Sequence, residues 1–286
     1  MIELLNYIQK EIHITYNKNY SKKYIKDKIL PIINYIYCSK SKKFLFGGSQ
    51  GIGKSSFIYI ISKAVEKFYN KKILLLSLDN YYLSKKKRLY LSKKTHPLLI
   101  TRGVPGTHNI KKLLQNINQF DKKKYPINIP VFDKLIDDKS ASRKVITKEC
   151  DILFLEGWCC GSTEIKGKYL YKNINKLEKI NDKEKIWRDY YNNKLKLEYK
   201  NLFNLFDDLI FMKTSSFDNV FKWRLKQEKN NKSKNKKSKK MSASEIKFFI
   251  QHYEKITKWM IKDLNKKAKV VINIDKNQKI SLINFN

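Results

Sequence analysis

Residues 48–55 read Gly-Ser-Gln-Gly-Ile-Gly-Lys-Ser and satisfy the pattern G-x-x-x-x-G-K-[ST]. That spacing serves a narrow chemistry. The glycines let successive backbone N–H groups turn inward around phosphate oxygens, the Lys reaches the terminal phosphates, and the hydroxyl ligates Mg²⁺. The flanks agree, since an apolar run at Phe44–Phe46 leads in and a helical run starting near Lys54 leads out. Gly48, Ser49, Gln50, Gly51, Ile52, Gly53, Lys54, Ser55 and Ser56 are therefore expected to hold the phosphates of a nucleotide, with Ser55 on Mg²⁺.

A strand–loop–helix unit of this kind belongs to an α/β sheet, and the rest of the chain follows suit. Short apolar runs recur at Ile73–Leu76, Ile127–Phe132, Ile152–Leu155, Leu209–Phe211 and Val270–Ile272, separated by segments long enough for crossover helices. Continuous runs of Ile, Leu and Phe are how strands buried on both faces of a parallel sheet read. The expectation is a doubly wound, mostly parallel sheet with helices on both faces. It covers residues 41–286 and is preceded by a helical extension over 1–40. In that extension Ile2, Leu5, Ile8 and Ile12 recur at helical spacing, and a second helix is interrupted at Pro31. Ser242-Ala243-Ser244-Glu245 is a capping box that opens a helix running to about Lys267. The interval 80–126 is long for one crossover and reads as an ordered functional segment. Residues 216–241 read as a lid region. Within it, the run 229–240 has no apolar side chain and is expected to be a mobile loop.

Two acids end strands beside the phosphate loop. Glu156 closes the run Asp151–Leu155 and is expected to hold Mg²⁺. Asp79 follows Ile73–Ser77 on the same sheet edge, where a carboxylate can accept the proton of an attacking hydroxyl; a helix N-cap is its structural alternative. Arg102 and His108 flank a loop shaped by Gly103, Pro105 and Gly106. There Arg offers a planar fork to a carboxylate or phosphate, or else is a solvated turn residue. Arg224, on a late helix, is a candidate for closing over the triphosphate, or simply part of a basic helix face.

Composition narrows the partner. Lys+Arg number 62 against 26 Asp+Glu, a formal net charge of +36. Only five of the basic residues are Arg (88, 102, 143, 188 and 224), whereas nucleic-acid readers draw on Arg for bidentate contacts. The Lys excess comes with abundant Asn, Ile and Tyr, as in a genome of AT-rich codons. It still attracts anionic substrates. No apolar run approaches the ~20 residues of a membrane span, and the start lacks the pattern of a secretory signal. Cys38, Cys150, Cys159 and Cys160 form no metal or disulfide framework, so a reducing, cytoplasmic setting is expected.

Taken together, the motifs resemble D-glycerate 3-kinase and the related P-loop kinases of the phosphoribulokinase/uridine kinase group. The resemblance rests on Gly48–Ser55, Ser77–Leu83, Thr95–Leu99, Arg102–His108, Pro130–Lys134 and Phe154–Trp158. Trp223-Arg224 with Gln227-Glu228, and Met241-Ser242 leading to Phe248 and Tyr253, complete it. It implies ATP-dependent phosphorylation of D-glycerate with Mg²⁺. Lys54, Asp79 and Arg224 would be catalytic, Ser55 and Glu156 would hold metal, and Asp79, Tyr82, Arg102, Thr107 and His108 would face the acceptor. The family usually carries an acid after Asp79 and another after His108, where this chain has Asn80 and Asn109. A kinase for another small acceptor, such as a nucleoside or pantothenate, fits the same motifs. A nucleic-acid-stimulated ATPase would instead exploit the Lys excess, and a regulator without transfer activity would bind ATP alone.

Overall fold

Phe44 and Phe46 point to one side of their strand and Leu45 to the other, and all three are buried. The strand entering the phosphate loop is thus covered on both faces. A computed structural model describes residues 1–230 and 241–286 and places this strand centrally in a sheet. In chain order the strands are β1 (Lys43–Gly48), β2 (Ile73–Ser77), β3 (Ile127–Asp133), β4 (Asp138–Ile146), β5 (Ile152–Gly157), β6 (Asp208–Thr214), β7 (Val270–Ile274) and β8 (Ile280–Phe285). The main sheet has the order β2-β5-β1-β6-β7-β8, parallel throughout except for the antiparallel pair β7–β8.

Two cores follow from the alternation. On one face Phe44, Phe46, Phe154 and Ile210 pack against helices Ile2–Tyr16, Leu30–Cys38 and Lys54–Tyr69. On the other, Leu45, Leu155 and Phe211 pack against helices Ile110–Asp121, Ile186–Lys194 and Ala243–Lys267. The last of these begins at the expected capping box, with Ser242 and Glu245 bonded reciprocally.

The N-terminal helices are fastened to the sheet by one carboxylate. Asp208 Oδ2 accepts hydrogen bonds from Tyr35 at 2.9 Å, Ser39 at 3.2 Å and Ser41 at 2.9 Å. Two details differ from the sequence reading. Ile2 is 70 % exposed, and Leu4 takes its place on the buried stripe with Leu5, Ile8 and Ile12. Pro31 does not break its helix. It follows a π-helical stretch, Ile25–Ile29, and sits in the first turn of Leu30–Cys38, where a missing N–H is tolerated.

The run Ile127–Phe132 is the one strand placed wrongly by its composition. It does not enter the parallel sheet but pairs with β4 as a separate antiparallel hairpin. Its burial alternates, with Ile127, Ile129 and Phe132 buried and Asn128, Pro130 and Val131 partly exposed. Pro130 lacks the N–H that an interior strand donates, consistent with a two-stranded setting. The interval 80–126 is ordered. It holds helix Lys85–Lys94, the loop carrying Arg102 to His108, and helix Ile110–Asp121. From residue 231 on, the run expected to be a mobile loop lies outside the described residues. No helix of the described residues is long and apolar enough to cross a membrane.

The turn after β5 closes tightly on the start of the phosphate loop. A Cβ on Gly47 would lie 2.2 Å from the carbonyl oxygen of Cys160. Gly47→Ala is expected to cost about 1–3 kcal/mol of stability, read as a lower denaturation midpoint. An unchanged midpoint would show that the two turns do not abut.

Candidate active site

The sheet brings its catalytic candidates to one edge. Glu156 is in register with Phe46 of β1 on one side and Ser77 of β2 on the other. Its carboxylate lies where three elements meet. Oε1 accepts from Ser55 Oγ at 3.1 Å and from Ser77 Oγ, and Oε2 lies 3.6 Å from Lys54 Nζ. Glu156 and Lys54 are both buried. Oxygen donors on a buried carboxylate and two hydroxyls are the ligand type a hard divalent cation takes. By its type alone Ser77 is only the last residue of an apolar strand. Its role is legible from register alone, since β2 ends beside the end of β5.

The phosphate loop has the shape its pattern requires. Gly51 adopts φ +75°, and a Cβ there would come within 2.9 Å of Trp223, so the loop turns only with glycine. Ser49 Oγ and both polar atoms of the Gln50 side chain are buried without a partner among the described residues. Orphaned buried polar atoms in such a loop fit bound phosphate oxygens. Lys54 opens the helix that leads away from the loop, with Ser55 and Ser56 in its first turn.

Asp79 lies in a 3₁₀ turn, Leu78–Tyr81, at the end of β2. It caps no helix. Its Oδ1 accepts from Tyr82 Oη at 2.9 Å, and its Oδ2 accepts from Lys134 Nζ at 2.6 Å. Burial works to raise the carboxyl, but the Lys134 charge and hydrogen bond, the nearby Lys54 and the Tyr82 hydroxyl bring it down to about 2. Lys134 comes from the turn of the β3–β4 hairpin. Only its place in the segment Pro130–Lys134 hinted at a role, because nothing local in the sequence joins residue 134 to residue 79.

The Arg102–His108 loop is held by the segment that follows Glu156. Trp158 Nε1 donates to the Gly103 carbonyl at 2.9 Å, and Tyr253 Oη donates to the Arg102 carbonyl at 2.8 Å. Gly103 adopts φ +135°, and a Cβ there would lie 2.3 Å from the Tyr253 ring. Arg102 Nη1 donates to Asp137, and its guanidinium sits 5.6 Å from the Phe132 ring centroid. The hairpin therefore touches both acceptor-side candidates, Asp79 through Lys134 and Arg102 through Asp137.

The other acceptor-side candidates divide. Thr107 is fully buried and spends its hydroxyl inside the loop, donating to Val104 O and accepting from Gly103 N–H. Tyr82 stacks on His108 with centroids 4.5 Å apart. Burial depresses His108 to about 3, so its imidazole is neutral near pH 7. Its Nδ1 meets Tyr199 Oη at 2.5 Å, and that oxygen already accepts from Gly106 N–H. Nε2 is buried with no partner among the described residues. Asn80 accepts from Phe132 N–H at 3.4 Å, and Asn109 caps helix Ile110–Asp121. Asp caps as well as Asn does, so the departure at 109 is accounted for by a helix end. Arg224 adjoins Gly51 and pairs with Glu228 at 3.1 Å. Burial pushes the thiols of Cys159 and Cys160 up, which removes both as nucleophiles near neutral pH.

No family model matches the chain. Among curated proteins, "Uncharacterized kinase mug58" of Schizosaccharomyces pombe is 28% identical over 242 residues, 80% of this chain and 85% of that one. "Probable ATP-dependent kinase TDA10" of Saccharomyces cerevisiae is 28% identical over 256 residues, 82% of this chain and 85% of that one. A solved D-glycerate 3-kinase from Cryptococcus neoformans shares the fold with a TM-score of 0.69 at 19% identity, covering 100% of this chain and 98% of that one. The resemblance drawn from the motifs therefore holds in the fold and in the curated relatives, which are kinases. These matches support an ATP-dependent P-loop kinase.

Two outcomes are expected of this geometry. Lys54→Ala should weaken triphosphate binding by well over tenfold yet melt cooperatively, as expected of a residue whose charge serves the phosphate loop; wild-type affinity in a calorimetric titration would contradict the loop assignment. Lys134→Met should let the Asp79 carboxyl rise toward its ordinary ~3.9. The acid limb of kcat/KM, which reports the free enzyme, should move to higher pH. The sign for stability follows from the same shift. The Asp79 contribution is complete above the ordinary carboxylate value and is lost as pH falls toward about 2. Superimposable pH profiles would show that Lys134 does not hold Asp79.

Proposed function

We propose that the chain phosphorylates D-glycerate on its 3-hydroxyl, using ATP and Mg²⁺. The observation that carries this reading is the meeting of Lys54, Glu156 and an ionised Asp79 on one sheet edge, beside a loop that presents Arg102 and His108. Loop amides and Lys54 hold the triphosphate. Ser55 and Glu156 hold Mg²⁺, which neutralises phosphate charge when bound. Asp79 accepts the proton of the attacking hydroxyl as the new O–P bond forms and the bond from the γ-phosphorus to the bridging oxygen breaks, leaving ADP. Arg224, whose backbone adjoins Gly51, would meet charge developing on the transferred group by releasing Glu228.

The acceptor is argued from the other side of Asp79. A hydroxy acid needs a cation for its carboxylate and donors for its hydroxyls. Arg102 supplies a fork that already binds a carboxylate, that of Asp137, and the Nε2 of neutral His108, without a partner among the described residues, supplies a further hydrogen-bonding atom. A glycerate carboxylate would share or take over the position held by Asp137. Tyr82 orients Asp79 through its hydroxyl and His108 through its ring. Thr107 supports the loop from within.

The test is a metabolite panel with purified chain and Mg·ATP, read by ³¹P NMR of the product. D-glycerate is expected to give 3-phosphoglycerate. Transfer to pantothenate or a nucleoside with none to glycerate would overturn the acceptor and keep the kinase. Arg102→Lys is expected to raise KM for glycerate by at least about tenfold, because a point charge does not reproduce the bidentate fork. Glycerol, which lacks the carboxylate, should be a poor acceptor, and equal use of the two would refute carboxylate recognition.

A further inference from the structure

The phosphate loop borders a space that meets the proposed transfer site at Arg224 and Lys134 and extends beyond it toward the N-terminal helices. A cavity of about 550 Å³ opens beside Gly51, Gly53 and Ser56, on the side of the loop lined by the N-terminal helices. Its floor is apolar, with Phe57 and Ile60 of the loop's helix among the residues that line it. Trp223 and Arg224 line it, and the extension contributes three aromatic lining residues, Tyr16, Tyr20 and Tyr24. The second cavity, at Phe248 and His252, includes no residue of the phosphate loop.

These walls are tied to the loop by hydrogen bonds. Tyr16 Oη donates to the Gly53 carbonyl at 3.4 Å, and Gln278 Nε2 donates to the Gly51 carbonyl at 2.5 Å. Tyr24 Oη accepts from Ile280 N–H at 2.7 Å, which joins the extension to the start of β8. Tyr20 lies 4.7 Å from Tyr24, centroid to centroid, and is half-buried. Lys18 and Lys226 add positive charge among the lining residues. A triphosphate held by Lys54 and the loop amides leaves its nucleoside to find a concave, apolar, aromatic space next to the loop. This cavity offers one, and flat π-faces stack well on aromatic rings.

We propose that the N-terminal extension is part of the donor site, with Tyr16 and Tyr20 forming an aromatic wall against which the purine base of the nucleotide stacks. The proposal rests on the reading of the loop as an ATP site. It gives the extension a function beyond covering the sheet, because removal of its rings would weaken the nucleoside and spare the phosphates.

The experiment is a calorimetric titration of the full chain with two probes, ATP and inorganic tripolyphosphate, both with Mg²⁺. Wild type should bind ATP more tightly than tripolyphosphate. Tyr20→Ala and Tyr16→Ala should each weaken ATP by at least about fivefold, as expected for a lost base–aromatic contact, with tripolyphosphate changed less than about twofold. Tyr20→Phe, which keeps the ring, should restore ATP binding. If Tyr16→Ala does not melt cooperatively, the half-buried Tyr20 pair of variants decides. ATP affinity unchanged in Tyr20→Ala, or ATP and tripolyphosphate weakened in equal proportion, would overturn the proposal. Failure of the kinase reading is distinct: both probes would bind as described while no acceptor gained phosphate.

Discussion

The site depends on one buried carboxylate. Glu156 lies at the end of β5, and through it the phosphate loop, the end of β2 and the first turn of the loop's helix are joined by two hydrogen bonds and an ion pair. A buried acid is tolerable only when paired and hydrogen-bonded. Lys54, Ser55 and Ser77 meet that condition, and on the proposed function they set the positions from which phosphate and metal would be held. The tight approach of Gly47 to Cys160 follows from the same adjacency of β1 and β5. Shifting β5 by one residue would turn Glu156 to the other face of the sheet and separate it from both hydroxyls.

The second organising feature is the β3–β4 hairpin. It stands outside the main sheet and reaches over the acceptor side with a cation for Asp79 and an anion for Arg102. Both pairs are partly exposed, so solvent screens them and a substrate can exchange with them. Arg88 supports the hairpin from beneath. Its buried guanidinium donates to the Asp137 carbonyl at 2.6 Å and pairs with the same residue's carboxylate at 3.0 Å.

Much of this was legible in the sequence, for physical reasons that differ from residue to residue. The phosphate loop declares itself because only glycines fit its turns. Glu156 and Asp79 are visible as acids at the ends of apolar runs, and Ser242 with Glu245 as a reciprocal cap. Ile127–Phe132 misleads because a half-buried hairpin strand and a fully buried central strand differ in pairing, which composition does not record. Lys134 was silent for a related reason, since its partner is 55 residues away and is met only once the hairpin folds over β2. Thr107 and Tyr82 could be placed near the acceptor by their motifs. Only the coordinates separate a hydroxyl spent inside the loop from one that touches Asp79.

The central claim is that Asp79 is held ionised at the phosphoryl-transfer edge so that it can take a proton in the transition state. The most direct measurement compares Asp79→Asn with wild type in two quantities, the dissociation constant for Mg·ATP and kcat with glycerate. A group acting as base contributes about 10²–10⁴ in rate and little to ground-state nucleotide binding. The account predicts a collapse of kcat on that scale with an ATP dissociation constant within about threefold of wild type. A near-normal kcat accompanied by a lower melting temperature would contradict it and leave Asp79 as a structural anchor for Lys134 and the hairpin.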